Sequence, residues 1–430
     1  MKTINIGLLG FGTIGSGVVK ALDERSGLIA KRAGVCLNIK YICDINLPKN
    51  KLPMAKGRIF NKDAYRVIND PQVDIIIELI GGIRPAKDFI IAAMNKGKSI
   101  VTANKALLAE CGKEIFSSAE KYGVDVYFEA SVAGGVPVVK ALRESFVANK
   151  IETVLGIVNG TCNYILTQME QRCIDFDVAL KEAQENGYAE RKPFLDISGM
   201  DSVHKLVLLT LLCFGEFVKI KDIYAEGIVD ISADDIAYAK EFGYVIRLLA
   251  IAKLSEGKLE VRVAPTLLPK SHLLSGVWGV YNAVLVKSDL AGGILFNGKG
   301  AGKNPTASAV ISDIVDAARN IKEGSVRRVP EYNKNQSRIL LRKINEIESR
   351  YYIRFSVIDK PGVLAKISGI LGKFGISIAS VSQRERGQQK IVPVIIMTHD
   401  AKEGSLRKAL KEIDRLPVIR AKSIAIRVEE

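Results

Sequence analysis

"INIGLLGFGTIGSGVVKAL", residues 4–22, runs an apolar strand pattern straight into Gly10, Gly12 and Gly15 and then into the apolar spacing of a helix. A G-x-G-x-x-G triplet alone is a weak signal. Placed directly behind a strand and at the opening of a helix, it has the context of a dinucleotide-binding turn. The glycines let backbone N–H groups there, with Thr13 and Ile14 between them, approach a pyrophosphate at a helix N-terminus, where the dipole favours an anion.

Outward from that turn, strand and helix alternate. "LNIKYICD" ends at Asp44, "VDIIIELI" covers 73–80, "SIVTANK" covers 99–105 and "VDVYFEASV" covers 124–132, with helical stretches between them. The alternation predicts a doubly wound parallel sheet, a Rossmann-like nucleotide-binding domain over residues 1–138. Asp44 ends the second strand, where a carboxylate meets a ribose 2′-OH and favours NAD; Lys49 and Lys51 follow closely and suit a 2′-phosphate, so NAD and NADP both stay open. A second glycine segment, "FNGKGAGKNPTASAV", places Gly298, Gly300 and Gly302 before a helix. It is expected to return near 300–320 and complete the nucleotide domain, with Gly302 at the cofactor.

Residues 139–320 mix longer helices with strands and are expected to form a mixed α/β catalytic and dimerisation domain. The polar stretch 321–348 reads as a linker. From 349 to 430 a fresh pattern, strand–helix–strand–strand–helix–strand, predicts a compact βαββαβ unit of ferredoxin-like form.

Composition sets the limits of function. The chain has 430 residues, 48% hydrophobic and 25% charged, the balance of a folded protein of two or three domains. No run approaches the ~18 apolar residues of a membrane span, and the N-terminus reads as a strand and turn, so a cytoplasmic protein with no membrane partner is expected. The six cysteines, Cys36, Cys43, Cys111, Cys162, Cys173 and Cys213, lack metal-ligand spacing. Reduced, mostly buried thiols are expected. The net charge of +15 is concentrated toward the end, where residues 321–430 hold 23 Lys and Arg against 12 Asp and Glu. The cations are spread through strands and helices with acids between them, without an aromatic-interleaved patch or a helix-turn-helix signal, so a solvated basic surface is expected, without a nucleic-acid partner.

The densest chemistry lies in "GYAERKPFLDISGMDSVHKL", residues 187–206, which sets Glu190, Asp196 and Asp201 ahead of an apolar helix carrying Lys205. Asp201 and Lys205 are i and i+4, hence on one helix face. A lysine in the first turn of a buried helix meets a positive dipole and a low dielectric. Both lower its pKa toward acid–base work, and a neighbouring carboxylate opposes them. Such an amine suits proton transfer at an alcohol oxygen. Lys105, at the end of the "SIVTANK" strand, is the second candidate, since ligands in such sheets sit beyond the carboxyl ends of strands.

These residues resemble the homoserine dehydrogenase family. "AQENGYAERKPFLDISGMDSVHKL" is similar to that family's signature, and "GFGTIGSGVV", "VTANKALLA", "FEASVAGGVPVV", "VNGTCNYIL" and "GAGKNPTASAV" resemble its other blocks in order, over residues 1 to about 320. "DKPGVLAKISGILGKFGISIASV" resembles an ACT domain, an amino-acid sensor. The resemblance implies NAD(P)-dependent interconversion of L-homoserine and L-aspartate 4-semialdehyde. It implies Lys205 as proton donor and acceptor, assisted by Lys105, with Glu190 and Asp201 at the substrate ammonium, Asp196 beside the lysine, and Thr161 and Gly187 lining the pocket. It further implies a Na+ or K+ site at Glu129 and the carbonyls of Val132, Gly134 and Val136, an L-threonine effector at the ACT domain, and a homo-oligomer, dimer or tetramer. One position departs: Lys192 precedes Pro193 where the family has Asp or another small polar residue, which bears on substrate affinity. Two other classes fit parts of the chain, a catalytically silent nucleotide and amino-acid sensor, and a dehydrogenase of a related amino-acid semialdehyde. The intact Lys105, Lys205, Glu190 and Asp201 count against the first. The absence of a cysteine in a nucleophile setting counts against the phosphorylating members of the second.

Overall fold

The computed structural model describes residues 1–46, 57–330, 339–383 and 391–430; Lys49 and Lys51 lie outside them. The chain forms two compact units, each discontinuous in sequence: Met1–Val154, Val203–Asp222 and Tyr281–Arg338 make the first, and Leu155–Ser202, Ile223–Val280 and Ile339–Glu430 the second.

The first unit is built on a six-stranded sheet: β1 (Thr3–Leu9), β2 (Cys36–Cys43), β3 (Ile59–Asn61), β4 (Ile75–Glu78), β5 (Ser99–Thr102) and β6 (Val126–Tyr127). The order is β3-β2-β1-β4-β5-β6 with every pairing parallel, the doubly wound order whose crevice opens where the strand order reverses beside β1. The strands are near-continuous runs of Ile, Val and Leu because helices cover both faces. Helix α1 (Thr13–Glu24) buries Val18, Val19 and Leu22 against Ile4, Ile6 and Leu8. The returning helix Lys303–Glu323 packs on the same core through Ala307, Val310, Ile314 and Ala317. Gly17 permits this approach, since a Cβ there would stand 2.8 Å from Lys303 Cγ. The strand expected over 124–132 is cut to two residues. The Glu129 N–H turns away to Asp313 Oδ2 at 2.8 Å, and a 3-10 turn, Glu129–Ser131, follows.

In the second unit, strands Tyr244–Ser255 and Lys258–Pro269 form a long antiparallel hairpin. At its far end Thr266 and Leu267 pair in parallel with Arg427 and Val428 of strand Ile419–Val428. That strand runs antiparallel to Tyr351–Ile358, which pairs with Ile391–Thr398, and Ile378–Ser382 closes the edge. Helices Val363–Lys373 and Glu403–Ile413 supply Ile367, Leu371, Leu406 and Ile413 to a core with Tyr351, Ile353 and Phe355. The C-terminal unit is therefore the βαββαβ arrangement expected, joined by main-chain pairing to the hairpin.

Among the described residues no helix is long and apolar enough to cross a membrane. The thiols are less buried than expected: Cys43 and Cys162 are buried, Cys36, Cys111 and Cys213 are partly so, and Cys173, at the left-handed end of helix Gly160–Arg172, is exposed.

Candidate active site

At the β1–α1 turn, each motif glycine answers a different constraint. Gly10 holds φ +98° and a Cβ there would stand 2.6 Å from the Leu79 backbone. Gly15 could not carry a Cβ without striking the Gly10 carbonyl. A Cβ on Gly12, the N-cap of α1, would meet nothing within 4 Å, and no side chain caps the helix there. Two glycines are thus required by the protein and one keeps space clear at a helix N-terminus. This is the cradle a pyrophosphate fits.

Asp44, half-buried after β2, fixes that turn. Its Oδ2 accepts the Phe11 N–H at 2.6 Å and its Oδ1 accepts the Asn46 N–H at 2.9 Å, while Gly10 N–H donates to the Cys43 carbonyl at 2.8 Å. The carboxylate oxygens keep lone pairs for a ribose hydroxyl.

Sequence reasoning missed the network between β4 and β5. Glu78 is fully buried; its Oε1 accepts the N–H of Ile80 and Gly81, at 2.8 and 3.1 Å, and its Oε2 accepts the Thr102 hydroxyl at 2.7 Å. Thr102 Oγ1 accepts the Asn104 N–H at 3.0 Å, and the Asn104 side chain donates to the Gly82 carbonyl and caps helix Lys105–Tyr122 at Leu107 N. Lys105 opens that helix at the carboxyl end of the sheet. Its position is set by the three polar residues before it. The visible signal was the asparagine ahead of a helical run.

Gly134 and Gly300 meet back to back, since a Cβ on Gly134 would overlap the Gly300 carbonyl. Gly135 N–H donates to the Lys299 carbonyl at 3.1 Å, which places Gly302, N-cap of helix Lys303–Glu323, beside the 133–135 loop. Glu129 is buried with both oxygens on helix-start amides, Val139 at 2.9 Å and Lys140 at 2.7 Å. Burial pushes its carboxyl above the usual range despite those bonds. Val132 and Val136 flank the left-handed pair Ala133 and Gly134 (φ +52° and +58°), and the Val136 carbonyl accepts Val138 N–H at 2.8 Å.

In the second unit, Asn159 gathers the carboxylates. It caps helix Gly160–Arg172 through Cys162 N, and its amide nitrogen donates to Asp196 Oδ1 at 2.7 Å and to Asp201 Oδ2 at 2.9 Å. Its role was also missed, although it stands in the quoted "VNGTCNYIL". Thr161 donates its hydroxyl to the Tyr188 carbonyl at 2.6 Å, pinning the turn at Gly187 (φ +73°). Glu190 and Lys192 are both exposed, and the Glu190 carbonyl receives the Gln184 side chain. Helix Met200–Phe214 begins with Asp201 and carries Lys205 one turn later; both are only 8% exposed.

Family models match along the chain: a homoserine dehydrogenase NAD-binding domain over residues 10–129, homoserine dehydrogenase over 137–315 and an ACT domain over 351–418. The homoserine dehydrogenase of Neisseria gonorrhoeae is 41% identical, covering 100% of this chain and 99% of its own. The chain belongs to the homoserine dehydrogenase family. A solved homoserine dehydrogenase from Thiobacillus denitrificans superposes with a TM-score of 0.94 at 41% identity, over 100% of this chain and 99% of that one. A hyperthermophilic archaeal homoserine dehydrogenase in complex with NADPH matches at 26% identity and a TM-score of 0.62, over 74% of this chain and 98% of that one. The expected homoserine dehydrogenase activity, an NAD(P)-dependent oxidoreduction, is thereby established at the level of the family, together with the Rossmann-like sheet and the ACT domain.

Proposed function

We propose that this homoserine dehydrogenase interconverts L-homoserine and L-aspartate 4-semialdehyde with Lys205 as the proton-transferring group. The observation that carries the reading is the placement of Asp201 and Lys205, both buried, about 6 Å apart along one helix. A zwitterionic amino acid needs carboxylate acceptors for its ammonium and a proton carrier for its reacting oxygen.

When bound, the nicotinamide supplies or accepts the hydride at the substrate's terminal carbon. In reduction, the Lys205 ammonium gives a proton to the aldehyde oxygen; in oxidation, the neutral amine takes it from the alcohol. Lys105, set at the carboxyl end of β5, assists that transfer. Asp201 and Glu190 accept hydrogen bonds from the substrate ammonium and orient the polar chain, Asp196 stands beside the lysine, and Thr161 and Gly187 hold the turn that lines the pocket. The N–H groups around Gly12, Thr13, Ile14 and Gly15, with Gly302, receive the pyrophosphate. Asp44 takes a ribose hydroxyl, and its charge opposes a 2′-phosphate, which favours NAD; the ratio of kcat/KM for the two coenzymes tests that preference.

Residues 1–138 with the return near 300–320 form the cofactor domain in this reading, 139–320 the catalytic domain, and 349–430 the regulatory one. L-threonine is the proposed effector, with the turn before helix Val363–Lys373, where Gly362 is a left-handed N-cap without a side-chain cap, as its carboxylate site. A Na+ or K+ ion at the carbonyls of Val132, Gly134 and Val136 with Glu129 is supported by the left-handed turn at Ala133 and Gly134, and activity across added K+ and Na+ tests it. A homo-oligomer, dimer or tetramer, is tested by its mass in solution. The reaction itself is tested by NADH and NADPH oxidation with L-aspartate 4-semialdehyde, with and without threonine.

A further inference from the structure

We propose that Arg427, in the C-terminal domain, is a positioning residue for the substrate carboxylates, acting through the segment 226–228. This rests on the reading of Asp196 and Asp201 given above.

The connection is continuous within the second unit. Arg427 is 3% exposed and holds Glu403 through Nε and Nη2, at 2.8 and 2.6 Å, while its Nη1 donates to Glu226 Oε2 at 3.2 Å. Glu226 Oε2 also accepts the Tyr224 hydroxyl at 3.0 Å, and the Tyr224 ring centroid is 4.8 and 5.1 Å from the guanidinium carbons of Arg407 and Arg427. Glu226 N–H is fixed to the Val263 carbonyl at 2.8 Å. The next residue, Gly227, is pressed so closely against the substrate loop that a Cβ would overlap the Ile197 carbonyl and stand 2.8 Å from Ser198 Cα. Ile228 N–H then donates to that same Ile197 carbonyl at 2.9 Å. Ile197 follows Asp196. Gly199, buried at φ +83°, rests 3.3 Å from the Glu226 carbonyl by its Cβ position and leads into Asp201.

A loop that bears two clamped carboxylates and has a glycine–backbone contact on its back cannot move independently of that contact. Close-packed interiors transmit small displacements because no void absorbs them. The Arg427–Glu226 bond is charge-assisted and sits where only part of Glu226 is solvated, so its loss leaves Arg427 with an unmet donor and frees the segment to shift. The side chains of Glu226, Tyr224, Arg407 and Arg427 line a cavity of about 420 Å³, so an isosteric change at Glu226 causes no overpacking.

The test uses the full-length chain and compares Glu226→Gln, Arg427→Gln, Arg427→Lys and the Glu226→Gln/Arg427→Gln double variant. Glu226→Gln is expected to raise KM for L-homoserine about tenfold, with kcat and KM for the coenzyme within about twofold of wild type. Arg427→Lys keeps a cation facing Glu226 and is expected to fall between wild type and Arg427→Gln. The double variant is expected to match the worse single variant, because both remove one link. Should Arg427→Gln fail to fold, Glu226→Gln and Arg427→Lys still decide. An unchanged homoserine KM in Glu226→Gln overturns the proposal, as does a parallel loss in kcat, both KM values and melting temperature, which marks a merely structural role. Asp201→Asn runs alongside. If it leaves the homoserine KM unchanged, the carboxylate reading fails; if it raises that KM while Glu226→Gln does not, only the positioning role fails.

Discussion

Asp196 and Asp201 share one donor group, the Asn159 side-chain amide, at 2.7 and 2.9 Å. Two carboxylates brought this close repel, and a donor shared between them offsets part of that repulsion. In the proposed reading Asp201 takes the substrate ammonium, and Asn159 fixes where that carboxylate stands.

Replacing Asn159 by Ala is expected to lower kcat/KM for L-homoserine by about tenfold to a hundredfold, the cost of about 1–3 kcal/mol for stranding buried acceptors. Asn159 also caps helix Gly160–Arg172, so a separate stability loss of about 1 kcal/mol is expected. Asn159→Ser keeps a helix cap without the double donor. It should recover the melting temperature but not kcat/KM, and recovery of both argues against the clamp.

The glycines of the β1–α1 turn make opposite predictions. Gly12→Ala places a methyl in open space at the helix N-terminus and should weaken coenzyme binding, read by NADH or NADPH fluorescence titration, with the melting temperature held. Gly10→Ala meets both φ +98° and the Leu79 backbone and should destabilise the apoprotein by several kcal/mol. Loss of stability in Gly12→Ala without loss of binding contradicts the cradle.

Glu78 is a buried carboxyl whose hydrogen bonds come from Ile80, Gly81 and Thr102. Thr102→Val keeps the shape and removes the hydroxyl, so a loss of about 1–3 kcal/mol is expected in urea unfolding. Because the same hydroxyl holds Asn104 ahead of Lys105, kcat should fall as well. Thr102→Ser restores the donor and should restore most of both.

Asp70 shapes the acid limb of stability. Hydrogen bonds from Lys40 and from the Gln72 backbone, with the Tyr41 hydroxyl, hold its carboxyl down at about 2, against burial, which pushes it up. An unfolded aspartate titrates near ~3.9, so the stabilisation is complete above that value and is lost as pH falls toward about 2. The melting-temperature gap between wild type and Asp70→Asn should be constant from pH 7 to ~5 and narrow below ~4. A gap independent of pH contradicts this assignment.

The parts of the molecule that depend on local rules were legible in the sequence. The glycine triplet fixed the turn, apolar runs fixed β1, β2, β4 and β5, and the C-terminal alternation fixed a βαββαβ unit. What sequence could not show depends on distant pairing. Glu129 leaves its strand because Asp313, far along the chain, takes its N–H. Glu78, within an apolar run, gave no sign that Thr102 and the Ile80–Gly81 turn would satisfy it. Asn159 and Asp196 are 37 residues apart, and no periodicity links them. The Thr266–Arg427 pairing, which ties the C-terminal strand to the hairpin, is of the same kind. It also bears on deletion of residues 349–430, which takes Arg427 from Glu226 and Glu429 from Arg262 and is expected to destabilise what is left.

The most direct test is the single-turnover rate of NAD(P)H oxidation by L-aspartate 4-semialdehyde in wild type and in Lys205→Ala, with coenzyme binding followed by fluorescence in the same samples. Loss of the proton-transferring amine should slow the step by about 10²–10⁴-fold while coenzyme affinity stays within about twofold. A Lys205→Ala enzyme that binds coenzyme and oxidises it at the wild-type rate would remove Lys205 from the chemistry and with it the assignment of this helix as the centre of the site.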